Sequence, residues 1–117
     1  MASNAQCLFC RIVNGEIPAK KLFEDDQIVA FHDITPQAPT HVLVIPRNHI
    51  PSIDDMTDAD ADTVGQTILR ASKIARELKL EVDGYRLVVN NGPGAGQSVP
   101  HIHFHLLGGR EFGWPPG

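Results

Sequence analysis

The sequence predicts an α+β domain: a mostly antiparallel sheet, one long amphipathic helix and a short N-terminal helix. Two observations carry that expectation. Short apolar runs with strand character lie on both sides of a single long stretch with three- and four-residue apolar spacing. In addition, the run from His101 to Leu107 alternates strictly between histidine and large apolar residues until it closes on two leucines. Strands, then one helix, then strands is the order expected when a helix packs on an antiparallel sheet. The 117 residues fit one domain, spanning 1–117.

In chain order, Leu8, Phe9, Ile12 and Val13 have helical spacing, and Asn14-Gly15 supplies a helix exit, so a short helix is expected over 8–14. Strands follow over Lys21 to Glu24 and Gln27 to His32, with Asp25-Asp26 turning a hairpin between them. Val42-Leu43-Val44-Ile45, ended by Pro46, has the continuous apolar pattern of a strand covered on both faces. Thr57 is placed as an N-cap, with Asp60 three residues later as a carboxylate variant of the capping box. The stripe Ala61, Val64, Ile68, Ala71, Ala75 and Leu78 then predicts a helix over 58–79 with that face inward. A strand from Tyr85 to Asn90, a glycine-rich loop and a last strand from His101 to Leu107 complete the chain.

Composition narrows the function. A hydrophobic share of 42% and a charged share of 21% suit a globular domain that buries a core without disulfides. The net charge of −4, with no block of Lys or Arg, argues against DNA or RNA as a partner. A mononucleotide remains open, because one phosphate needs only a local group of donors. No apolar run approaches the ~20 residues of a membrane span, and Met1-Ala2-Ser3-Asn4 lacks the features of a secretory signal, so the expectation is no membrane and a cytoplasmic location.

The chemistry concentrates in Ser98-Val99-Pro100-His101-Ile102-His103-Phe104-His105. In a strand, Ile102, Phe104 and Leu106 would bury themselves against the helix. His101, His103 and His105 would share the other face, about 6.6 Å apart. Three imidazoles could ligate one catalytic zinc, or one could attack phosphorus while another contacts the phosphate. The preceding loop, Asn90-Asn91-Gly92-Pro93-Gly94-Ala95-Gly96-Gln97, favours the second reading. Its glycines let backbone N–H groups approach an anion, and Gln97 and Ser98 add donors. Cys7 and Cys10, the two cysteines, have the spacing of half a zinc site, or else are two small buried residues on a helix.

His101-Ile102-His103-Phe104-His105-Leu106-Leu107 resembles the signature of the histidine triad (HIT) superfamily. The resemblance extends to Glu16-Ile17-Pro18-Ala19, Phe31-His32-Asp33-Ile34, Pro36-Gln37-Ala38-Pro39-Thr40-His41 and Gly96-Gln97-Ser98-Val99. The tail, Leu107-Gly108-Gly109-Arg110 with Trp114-Pro115-Pro116-Gly117, is similar to that of the nucleotide-binding branch, the purine nucleoside phosphoramidases. The resemblance implies a HIT-fold homodimer with a shared sheet, hydrolysing the P–N bond of adenosine or guanosine 5′-phosphoramidates. His103 would be the nucleophile, His105 and Ser98 would contact the α-phosphate or leaving group, and His41 would join the proton relay. Asp33 would hold the ribose hydroxyls, with Phe31, His32 and Ile34 beside the base. Asn90, Gly96 and Gln97 would complete the nucleotide wall, and Trp114 would lie near the partner's site. Bacterial members that resemble this chain bind a structural zinc through positions matching Cys7, Cys10, His49 and His101.

Alternatives from the residues themselves remain. Asp33 before Ile34-Thr35-Pro36 also reads as a turn residue, and Trp114 between glycine and proline as packing. The rival functions are a dinucleoside polyphosphate hydrolase or nucleotidyl transferase, a zinc hydrolase using all three triad histidines, and a nucleotide-binding scaffold.

Overall fold

The computed structural model describes residues 3–117; Met1 and Ala2, part of the stretch read for a signal, lie outside the described residues. The elements are α1 (Leu8–Val13), β1 (Lys21–Glu24), β2 (Ile28–His32), β3 (Thr40–Pro46), α2 (Ala61–Glu77), β4 (Tyr85–Val88) and β5 (Phe104–Gly108). Short 3-10 turns at Asp58–Asp60 and Pro93–Ala95 precede α2 and β5. The five strands form one antiparallel sheet in the order β1-β2-β3-β5-β4. This is the α+β architecture expected from the sequence.

Strand β3 sits at the centre because it can be buried on both faces. Val42, Val44 and Ile45 are fully enclosed and Leu43 nearly so, each side chain contributing about 2 kcal/mol of transfer free energy. On one face Val42 and Val44 join Ile28, Ala30 and Leu106 beneath Ala71, Ile74 and Ala75 of α2. On the other, Leu43 and Ile45 join Val29 and Phe31 beneath Cys7, Phe9, Cys10, Ile12 and Val13 of the α1 region. The sheet is thus sandwiched, and the two helices cover opposite faces.

The boundaries follow from local hydrogen bonding. The Asp25 carboxylate accepts from the N–H groups of Gln27 and Ile28, both at 2.8 Å, which closes the hairpin and starts β2 at Ile28 rather than Gln27. The Asp60 carboxylate reaches back to the Thr57 N–H at 3.0 Å, so the capping contact holds, but the first turn is 3-10 and α2 begins at Ala61. At its far end Lys79 takes φ +61, and Leu80 N–H bonds the Ala75 carbonyl, a left-handed exit that stops the helix at Glu77.

The buried stripe of α2 is Val64, Thr67, Ala71, Ile74 and Ala75. Ala61, Ile68 and Leu78, expected inward, are exposed, the last two by 43% and 41%. Thr67 replaces them because its hydroxyl donates to the Thr63 carbonyl at 2.8 Å, satisfying the polar atom within the helix. Among the described residues no helix is long and apolar enough to cross a membrane.

Candidate active site and metal centre

Adjacent antiparallel strands bring the histidines together. His105 lies opposite Leu43 and His41 opposite Leu107, so His41 and His105 are diagonal neighbours on the face covered by α1. Their rings meet at 2.9 Å, His41 Nε2 to His105 Nδ1. Ile102, Phe104 and Leu106 are buried on the opposite face, as the alternation predicts.

The regular strand, however, begins at Phe104 and not at His101. The backbone just before it bonds elsewhere: Ile102 N–H donates to the Ile50 carbonyl at 2.7 Å, and the His101 carbonyl accepts from His103 Nδ1 at 2.7 Å. At the other end of the sheet β4 stops at Val88, so Asn90 opens the loop instead of ending the strand.

Fixed donors and acceptors assign the ring protons. A carbonyl only accepts, so His103 Nδ1 carries a hydrogen toward His101, which leaves Nε2 of the neutral ring with a free lone pair. A backbone N–H only donates. His41 Nδ1 therefore accepts from Gln37 N–H at 3.0 Å, which puts that ring's hydrogen on Nε2, facing His105 Nδ1. His105 in turn keeps its hydrogen on Nε2. The outcome is one bare imidazole nitrogen beside a chain of oriented N–H groups, with the rings of His103 and His105 5.0 Å apart.

Burial enforces neutrality. It pushes His105 down to about 4, helped by the neighbouring His103 and His41. Burial also lowers His103, against its bond to the His101 carbonyl, and His41, against Asp33. Phe9 stands edge-on to His103, with ring centres 5.0 Å apart, and supplies much of that apolar cover.

Asp33 does two things at once. One carboxylate oxygen accepts from Thr35 N–H at 2.8 Å, the turn role open from the sequence. The other lies 3.4 Å from His41 Nε2, and the residue borders a cavity of about 670 Å³ lined by Pro18, Ala19, Lys20, His32, Asp33 and Ile34. Ile34 is almost fully exposed, whereas Phe31 lies in the core against Phe9. Lys20 lines the cavity although the sequence did not single it out; its signal was its place directly after Pro18-Ala19.

In the loop, Gln97 is fully engaged. Its Oε1 accepts from Gly92 N–H at 2.8 Å, and its Nε2 donates to the Pro51 and Val99 carbonyls at 2.7 and 3.1 Å. Gln97 thus braces the loop and ties it to Pro51. Gly96 has φ +92, a backbone conformation that favours glycine, and the place of a Cβ there would lie 4.0 Å from the Asn90 amide nitrogen. Ser98 is exposed at the mouth of the strand. Trp114 is 85% exposed and is not packed within its own chain.

His101 leaves the triad for a second cluster. Its Nδ1 lies 3.4 Å from Cys7 Sγ and 3.5 Å from Cys10 Sγ, while His49 Nδ1 lies 3.3 Å from Cys10 Sγ. The four donor atoms all lie within 4.8 Å of one another. Zinc bonds of about 2.3 Å to sulfur and about 2.0 Å to nitrogen, at tetrahedral angles, give sulfur–nitrogen edges of roughly 3.5 Å. The set therefore fits zinc. His101 Nε2 donates to the Pro46 carbonyl at 2.8 Å, which frees Nδ1 as a ligand. Cys7 is also the N-cap of α1, so helix and cluster share an anchor.

Asp33, His41 and His105 also place their donor atoms within 4.8 Å. There the second nitrogen of His41 accepts instead of donating, so Nε2 holds a proton where a metal would need a lone pair. Among the described residues, His101, His103 and His105 do not form a metal-holding group, so the three-histidine zinc arrangement is not present.

The HIT domain family model matches residues 14–112. An uncharacterised HIT-like protein of Synechocystis sp. is 46% identical over 110 residues, which cover 94% of this chain and 96% of that one. The crystal structure of a HIT family hydrolase from Legionella pneumophila superposes with a TM-score of 0.93 at 55% identity, covering 95% of this chain and 99% of that one. A histidine triad nucleotide-binding protein from Candida albicans gives 0.80 at 36% identity, covering 95% and 84%.

Proposed function

The chain belongs to the HIT domain family, and from that premise we propose that it is a purine nucleoside phosphoramidase. It would cleave the P–N bond of adenosine or guanosine 5′-phosphoramidates, aminoacyl-type adducts included, through a nucleotidyl-histidine intermediate. The observation that carries this reading is the tautomer of His103, whose Nδ1–H is tied to the His101 carbonyl so that Nε2 is free to attack.

His103 Nε2 forms the bond to phosphorus as the bond to nitrogen breaks. The departing amine takes a proton from solvent, while His105 keeps its Nε2–H and donates it as a hydrogen bond to the phosphate, steadied from behind by His41 Nε2–H. The water that later cleaves the nucleotidyl-imidazole bond releases one proton to solvent, so the cycle closes and no histidine becomes an anion. Ser98 and the Asn90–Gln97 loop would receive the phosphate, Asp33 the ribose hydroxyls, and His32 and Ile34 the base at the cavity. Cys7, Cys10, His49 and His101 would hold a structural zinc, with no water position and no part in the chemical step.

We further assign the chain to a homodimer in which β4, one of the two edge strands of the sheet, pairs with its counterpart and Trp114 reaches toward the partner's site. An exposed indole and an unpaired edge are surfaces that a second copy would cover.

The test is rapid quenching of the reaction with adenosine 5′-phosphoramidate, followed by intact-mass analysis. An adduct of one adenylyl group on His103 is expected, with faster turnover on the phosphoramidate than on diadenosine polyphosphate. Turnover with no adduct, or a preference for the polyphosphate, would overturn the assignment. Sedimentation should give twice the chain mass.

A further inference from the structure

The C-terminal exit of β5 runs directly over the loop that controls His41. Gly109 has φ +88, and a Cβ there would stand 2.9 Å from Pro39 Cβ, so the Gly109 backbone lies close against the Pro39 ring. Arg110, the next residue, donates from Nε to the Gln37 carbonyl at 3.1 Å. Its guanidinium lies over the Phe112 ring at 4.2 Å, and Nη1 donates to the Glu111 carbonyl at 3.0 Å. Among the described residues no carboxylate lies within ion-pair distance of it. The stacked cation is therefore held for its hydrogen bond and not for a charge partner.

On the other side of the Gln37 Cα, its N–H is the group that occupies His41 Nδ1. The Gln37 side chain donates to the Thr35 carbonyl at 3.1 Å and stiffens the same turn. One residue is thus clamped at its carbonyl and its side chain while its N–H aims at the relay.

We propose that Arg110 is a positioning residue for the His41–His105 relay: by holding Gln37 in place it keeps the hydrogen of the His41 ring on Nε2. This rests on the reading of His41 as a relay group. If Gln37 moves away, His41 Nδ1 loses its donor, the ring can take the other tautomer, and Nε2 no longer donates to His105. Neither Arg110 nor Gln37 is among the groups assigned to the nucleotide, so the effect belongs chiefly in the rate of the chemical step.

The experiment compares ring-nitrogen NMR spectra of wild type, Arg110→Ala and Arg110→Lys, without nucleotide, alongside steady-state kinetics. Wild-type His41 should show only the Nε2–H tautomer. Arg110→Ala should show a mixture, with kcat reduced about tenfold and KM little changed. Arg110→Lys keeps the charge but loses the Nε–H donor, so it should resemble Arg110→Ala. Retention of the single Nε2–H tautomer in Arg110→Ala, or wild-type behaviour of Arg110→Lys, overturns the proposal. A tautomer mixture with undiminished kcat would support the Arg110–Gln37–His41 coupling and overturn the role of His41 in turnover.

Discussion

His103 Nδ1 lies 2.7 Å from the carbonyl oxygen of His101, and through that bond the His103 ring is oriented by a residue of the metal-type cluster. The side chain of His101 turns toward Cys7 and Cys10 while its backbone turns toward His103. Two clusters that look like one run of histidines in the sequence are therefore separate groups joined by a single peptide carbonyl.

If that bond prepares His103 Nε2 for attack, removing the ring removes the reaction. His103→Ala should lower turnover at least a thousandfold, on the order of other lost nucleophiles, and keep AMP affinity within about tenfold, because Asp33 and the loop are untouched. Calorimetric AMP titration and AMP-release assays read the two effects separately. A variant retaining a tenth of the activity would show that another group attacks.

The metal cluster is expected to act on the same bond from behind. Purified protein should carry about one zinc per chain, and Cys10→Ser should reduce this sharply. The fold should lose about 2 kcal/mol, or roughly 8 °C in Tm, since binding to the native state adds stability. The chemical step should slow only modestly in the protein that stays folded. Elemental analysis and thermal melts check this, and zinc below about a tenth of an equivalent after chelator-free purification would refute the site.

Burial of His105 makes stability depend on pH with a definite sign. Its pKa falls from 6.5 to about 4 on folding, so below 6.5 the unfolded chain binds a proton that the folded chain refuses. Stability is fully present above 6.5 and is lost as pH falls toward 4. His41, also lowered by burial, adds to the same slope. Melting temperatures measured from pH 7 to pH 4 should decline, and His105→Gln should flatten the decline. An unchanged slope in that variant would place the proton uptake elsewhere.

The sequence made the apolar alternation of residues 102–106 legible because a two-residue period survives even where the ladder does not: Ile102 is buried although β5 starts at Phe104. It also placed the four metal-type ligands through resemblance. It failed where a polar group is satisfied locally, since nothing in a pattern of hydrophobicity predicts Thr67 inside and Ile68 outside. It failed too where the backbone supplies the chemistry. The Gln37 N–H and the carbonyls of Pro46 and His101 decide three histidine tautomers, and a backbone group has no signature in residue identity. Gln97 is the converse case, a polar side chain beside a glycine loop whose hydrogen bonds are all spent on backbone groups of the loop and its surroundings, Gly92, Pro51 and Val99.

Asp33 separates its two roles by oxygen, and a substitution can divide them. Asp33→Asn keeps an oxygen able to accept from Thr35 N–H, so the turn should survive and Tm should move little. What is lost is the second anionic acceptor, the one beside His41 and the cavity. KM for adenosine 5′-phosphoramidate should rise about ten- to a hundredfold, because a hydrogen bond to a charged group contributes roughly 1.5 to 3 kcal/mol. With a 2′,3′-dideoxy substrate the wild type and the variant should have nearly equal KM, since there is no hydroxyl to lose. A KM rise of the same size on both substrates would move Asp33 from the ribose to the relay.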